Sequence, residues 1–81
     1  MPLEFSHRAD KSFASLDKIM KERIAKKLLE IGNNPRRFIE GLTDLPFDKI
    51  RIGDYRLFVK LDKAKNTLFI ADIVHRKNAY K

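Results

Sequence analysis

The sequence predicts an α+β fold, with two N-terminal helices packed on an antiparallel sheet made of a short N-terminal strand and a three-stranded C-terminal meander. Three observations predict it. From Ala9 to Ile31, apolar residues recur at three- and four-residue spacing with Lys, Arg and Glu between them, the period of an amphipathic helix. After Pro46 come three runs, "FDKIRI", "YRLFVKL" and "TLFIADIV", each rich in β-branched or aromatic residues. The helical pattern precedes the strand runs instead of alternating with them, which is the element order of an α+β domain.

The first strand is read from "PLEF". Ser6 follows as a helix N-cap, its hydroxyl able to take up a backbone N–H left free in the first turn. Ala9, Phe13 and Leu16, then Met20, Ile24, Leu28 and Ile31, form the buried stripe. Asp17 can cap a second helix, so the run divides into helices near 7–16 and 18–32. Gly32 and "NNP" end it, because Gly and Asn accept a left-handed C-terminal conformation and Pro35 disfavours helix at Asn34. The segment "PRRFIEGLTDLP" is a packed connection, with Phe38, Ile39, Leu42 and Leu45 as apolar anchors among turn formers.

At 81 residues the chain has room for one small core, so 1–81 is read as a single domain. It has no cysteine, and its two histidines, His7 and His75, stand alone, so neither a disulfide frame nor a resident metal or cofactor is expected. No apolar run approaches the roughly 20 residues needed to cross a bilayer, and "MPLEFSHRAD" lacks the layout of a signal peptide, which points to the cytoplasm. The formal charge is +7 and unevenly placed: residues 49–81 hold nine Lys/Arg against three Asp/Glu. A basic surface of this size favours a polyanionic partner such as RNA, DNA or an acidic protein, the plain alternative being solvated lysines; no membrane association is expected.

The basic excess gathers around one hairpin. Gly53-Asp54 fits a two-residue loop, where glycine accepts the positive φ that such turns need. Ile52 then pairs with Tyr55, Arg51 with Arg56, Ile50 with Leu57 and Lys49 with Phe58. Alternation puts Lys49, Arg51, Arg56, Phe58 and Lys60 on one face, and Ile50, Ile52, Leu57, Val59 and Leu61 on the face that meets the helices. Like charges directly opposite one another destabilise a strand pair, so Arg51 facing Arg56 works against the fold. Either the two chains reach apart into water, or an anion sits between them.

On the last strand, the expected alternation turns Phe69, Ala71 and Ile73 inward and Ile70, Asp72, Val74 and Arg76 outward. Arg76 joins the basic face only if Arg56 pairs with an even-numbered residue, which requires an odd-length loop after Leu61 or a bulge. Tyr80 follows four residues later. Several guanidinium and ammonium groups with a tyrosine and no acidic cluster suit a phosphoryl group in reaction, because arginine stays charged and donates paired hydrogen bonds. Metal-dependent nucleases need clustered carboxylates, whereas this region has only the scattered Asp54, Asp62 and Asp72. RNA carries its own nucleophile in the 2′-OH, so cleavage needs only a base, an acid and charge stabilisation. Lys49, Tyr80 and His75 are the candidates, with His75 expected on the opposite face, and Asp54 is read as a turn residue.

The combination "GDYRLF" and "IVHRKNAY", preceded by two helices, resembles the RelE/ParE superfamily of toxin–antitoxin toxins over nearly the whole chain. Its RelE branch cuts ribosome-bound mRNA in the A site without a metal and so inhibits translation. On that resemblance, Arg56 and Arg76 match its phosphate-stabilising arginines, Lys49 and Arg51 its basic pair with Lys49 as base, and Tyr80 its tyrosine. Arg51 stands where a lysine is often found. The resemblance also implies a cognate RelB-like antitoxin, with Ile70 and Val74 as candidate apolar contacts beside the arginines. Two alternatives remain: a ParE-like inhibitor of DNA gyrase that does not cut RNA, and a non-catalytic RNA-binding module.

Overall fold

In the computed structural model, residues 1–38 and 47–77 are described. They form β1 (Leu3–Phe5), α1 (His7–Ala14), α2 (Lys18–Asn33), α3 (Pro35–Phe38), β2 (Asp48–Ile52), β3 (Tyr55–Asp62) and β4 (Thr67–His75). The four strands make one sheet in the order β1-β4-β3-β2. The α+β class is as expected. The sheet, however, is mixed: β2, β3 and β4 form the antiparallel meander, whereas β1 runs parallel to β4 with Leu3 beside Leu68 and Phe5 beside Ile70. A parallel neighbour needs a long connection, and the whole chain from α1 to β3 lies between these two strands.

The helix break falls where Asp17 places it. The Asp17 carboxylate accepts the Met20 N–H at 2.8 Å and Ser6 Oγ accepts the Ala9 N–H at 3.0 Å, so each helix starts on its own cap. Ala9, Leu16, Ile24, Leu28 and Ile31 are buried against Ile50, Ile52, Leu57, Val59, Leu68, Ile70 and Ile73, and Phe13 and Met20 pack at the margin. Each Leu, Ile or Val among them contributes about 1.5–3 kcal/mol when fully buried. No helix among the described residues is long and apolar enough to cross a membrane.

The C-terminal end of α2 differs from expectation. Gly32 is a buried helical residue and not a left-handed cap, and the C-cap Asn34 has φ −149°. The glycine sits in tight packing: a Cβ there would lie 3.3 Å from the Met1 carbonyl oxygen and 3.4 Å from Leu3 Cδ2. The chain then makes one further helical turn, α3, at the start of the segment expected to be a packed connection. Phe38 packs against the core as anticipated, with Lys27 Nζ 5.0 Å from its ring centroid. Ile39, Leu42 and Leu45 lie outside the described residues.

Strand β4 departs from simple alternation. Val59 pairs with Ile70 but Phe58 pairs with Asp72, so Ala71 is the extra residue of a β-bulge. Leu68 and Ile70 are therefore fully buried and Ile73 nearly so, while Phe69 and Ala71 are only half-buried. The inward assignment of Phe69 and Ala71, and the exposed position expected for Ile70, are overturned. Ser6 holds the bulge in place, its N–H donating to the Ile70 carbonyl at 2.9 Å and its hydroxyl to the Ala71 carbonyl at 2.6 Å.

Candidate functional site

The β2–β3 hairpin has the register that its loop dictates. Gly53 takes φ 57° at the first loop position, and Ile52–Tyr55, Arg51–Arg56, Ile50–Leu57 and Lys49–Phe58 face one another. Since Ile52 and Tyr55 close the loop, alternation makes Arg51–Arg56 a non-hydrogen-bonded pair, whose Cα atoms in such ladders approach to about 4.5 Å. The two guanidinium stems therefore leave the same face side by side. Lys49 leaves that face two residues, or about 7 Å, further along β2.

The bulge brings the third arginine to this face. Leu61 pairs with Leu68 and Val59 with Ile70, a register that would otherwise turn Val74 and Arg76 toward the helices. One inserted residue reverses the parity, so Arg56 pairs with Val74 and Phe58 with Asp72. Beyond the end of β4, the Arg76 N–H donates to the Asp54 carbonyl at 2.6 Å, extending the ladder by one bond. Arg76 thus stands diagonal to Arg56, a relation that separates side-chain bases by about 7–8 Å. Lys49, Arg51 and Arg76 are exposed and Arg56 is half-buried. The structure brings these four together on one face; Tyr80 lies outside the described residues.

The register ahead of the bulge places Phe69, opposite Lys60, on the basic face with Phe58. Half-buried aromatic rings among cations offer a surface on which nucleobases can stack. Simple alternation misses Phe69. Its signal was the spacing of Leu68, Ile70 and Ile73, two residues and then three, which no regular strand produces.

His75 sits on the other face, as expected. It pairs with Tyr55, their rings meet edge to face at 5.0 Å, and His75 Nδ1 accepts the Lys77 N–H at 3.1 Å. A shallow cavity of about 470 Å³ opens beside it, lined in part by Arg8, Ser12, Leu16 and Asp72. Arg8 and Asp72 approach to 3.8 Å there, while Asp72 also accepts the Ile73 N–H at 2.8 Å. Asp54 is exposed in the turn, where its carbonyl anchors Arg76. Among the described residues no group of three or more His, Cys, Asp or Glu side chains is arranged to hold a metal ion.

Residues 3–80 match the family model described as ParE toxin of type II toxin–antitoxin system, parDE. The chain is 29% identical over 80 residues to the mRNA interferase toxin RelE of Escherichia coli K12, spanning 95% of this chain and 84% of that protein. It superposes on the isolated E. coli RelE toxin with a TM-score of 0.79 at 30% identity, covering 98% of this chain and 89% of that one. Against the intact E. coli RelBE toxin–antitoxin complex the TM-score is 0.78 at 28% identity, covering 91% and 94%. The four-stranded mixed sheet, its helical cover and the family match over nearly all of the sequence agree: the chain belongs to the ParE toxin family of type II toxin–antitoxin systems, on the RelE-like side of the RelE/ParE superfamily.

Proposed function

We propose that this protein is a type II toxin that inhibits translation by cutting mRNA in the ribosomal A site, as a cytoplasmic, single-domain endoribonuclease. The observation that carries this reading is the convergence of Lys49, Arg51, Arg56 and Arg76 on one sheet face through a bulge in β4. The relatives named as mRNA interferase toxins support the substrate class.

In the reaction proposed, the ribose 2′-oxygen attacks the adjacent phosphorus and the bond from phosphorus to the 5′-oxygen breaks. Lys49 takes the 2′-OH proton as the general base, and a proton returns to the leaving 5′-oxygen from Tyr80. Arg51, Arg56 and Arg76 surround the phosphoryl oxygens, where charge builds in the transition state, and donors of this kind contribute about 2.7–4 kcal/mol each when removed singly. The products are a 2′,3′-cyclic phosphate and a 5′-OH, and no metal or cofactor enters. The opposition of Arg51 to Arg56, unfavourable for an empty hairpin, becomes favourable once a dianionic transition state lies between them.

A cognate RelB-like antitoxin is the protein partner, by analogy with the solved RelB–RelE complexes. Of the two apolar residues considered for its contacts, Ile70 is buried and drops out, whereas half-exposed Val74 stays beside Arg56. The description of the matched family keeps a second reading in view, a gyrase inhibitor of the ParE kind. One experiment separates them. Purified toxin is added to a translating extract and the new RNA ends are analysed, in parallel with gyrase supercoiling. Fragments ending in 2′,3′-cyclic phosphate with supercoiling intact are expected; blocked supercoiling without RNA cleavage would reverse the assignment.

A further inference from the structure

A second concentration of positive charge lies away from the sheet face. A groove of about 390 Å³ runs between α2 and the outer edge of β2, lined by Arg23, Lys26, Lys27, Glu30, Arg51 and the turn at Gly53. Four cations therefore meet one carboxylate. That carboxylate is already engaged, since Lys27 Nζ lies 3.5 Å from Glu30 and also sits over the Phe38 ring. Among the described residues, Arg23, Lys26 and Arg51 have no carboxylate within ion-pairing distance.

Gly53 shapes this groove. A Cβ built on it would lie 3.0 Å from Arg23 Nη1, so the Arg23 guanidinium rests closely against the hairpin turn. This contact brings the cations of α2 up to β2. β2 is also the edge strand of the sheet, and ladder alternation turns the Lys49 and Arg51 backbone N–H groups toward the groove side, not toward β3. Arg51 belongs to both surfaces: it faces Arg56 on the sheet and lines the groove at the edge.

We infer that this groove is a second phosphate-binding track, which holds RNA backbone beyond the site of cleavage after it crosses the edge of β2. The inference takes its ligand class from the RNA-cleaving reading above. RNA fits better than an antitoxin helix, because such a helix needs apolar anchors and the one large apolar residue in the lining, Ile52, is buried in the core.

The test measures binding of a short fluorescent RNA built of 2′-O-methyl nucleotides, which has no free 2′-OH and cannot be cut. Arg23→Ala/Lys26→Ala is compared with wild type, with Lys63→Ala/Lys65→Ala, which loses equal charge at the opposite end of the sheet, and with the charge-conserving Arg23→Lys/Lys26→Arg. The groove variant should bind about tenfold more weakly, and its slope of log Kd on log salt should be shallower by roughly 1–1.5, about 0.7 for each lost contact. The other two should match wild type. Equal weakening in both alanine pairs, or none in either, would overturn the track and leave only net charge. So would a groove variant that keeps its RNA affinity and loses only its hold on an acidic antitoxin peptide. A wild type that binds this RNA but never cuts translated mRNA would refute the cleavage reading and leave the track standing.

Discussion

The Ser6 hydroxyl donates to the Ala71 carbonyl at 2.6 Å while accepting the Ala9 N–H at 3.0 Å. One side chain thus caps α1 and fastens the bulge that carries Arg76 onto the face of Arg56. Ser6, near the start of the sequence, and the bulge beside the basic face are tied together across 65 positions.

Ser6→Ala should destabilise the fold by about 1–2 kcal/mol, the cost of a lost N-cap together with a half-buried carbonyl left without its donor. Urea denaturation measures this. A loss within a few tenths of a kcal/mol would show that the hydroxyl does not hold the bulge.

Gly53→Ala places a side chain at φ 57° and against Arg23. The expected cost is about 1–2 kcal/mol from the left-handed backbone alone, again by denaturation. The matching change at Ala64, exposed in the β3–β4 turn, to Gly should stay within about 0.5 kcal/mol.

The bulged register sets Ile70 and Val74 on opposite faces of β4. Ile70→Ala should cost about 2–5 kcal/mol, because Ile70 is fully buried among α1, β1 and the sheet. Val74→Ala, on the basic face, should cost less than about 1 kcal/mol. Equal costs at the two positions would mean that β4 has no bulge.

Much of this fold is legible in the amino-acid sequence. The helical stripe from Ala9 to Ile31, both N-caps and the hairpin register follow from rules that act over four residues or fewer, and all three hold. What escapes such rules is long-range. The parallel pairing of β1 depends on a partner more than 60 residues away, and the buried place of Gly32 depends on Met1 passing over it. The bulge is intermediate: for Arg56 and Arg76 to share a face the sequence requires either an odd-length loop after Leu61 or a bulge, and neither the choice nor the position follows from it. It falls at Ala71, whose carbonyl accepts the Ser6 hydroxyl from the other end of the sequence.

Arg51→Thr separates stability from activity. Removing one of two opposed arginines should leave stability unchanged or raise it by about 0.2–1 kcal/mol, since a like-charged cross-strand pair is relieved and threonine suits a strand. Cleavage should fall about 100-fold or more. A variant that loses stability and retains activity would place Arg51 in the scaffold and not in the site.

If the arginines gathered by the hairpin and the bulge cut translated mRNA, the cuts must depend both on them and on translation. Primer extension on an mRNA in a cell-free translation reaction reads both, with wild type set against Arg56→Ala/Arg76→Ala and with the same mRNA untranslated. New 5′ ends are expected only in translating reactions with wild type, and none with the double variant. Growth arrest on expression with no new ends from the wild type, or ends that persist in the double variant, would contradict this role for the arginines.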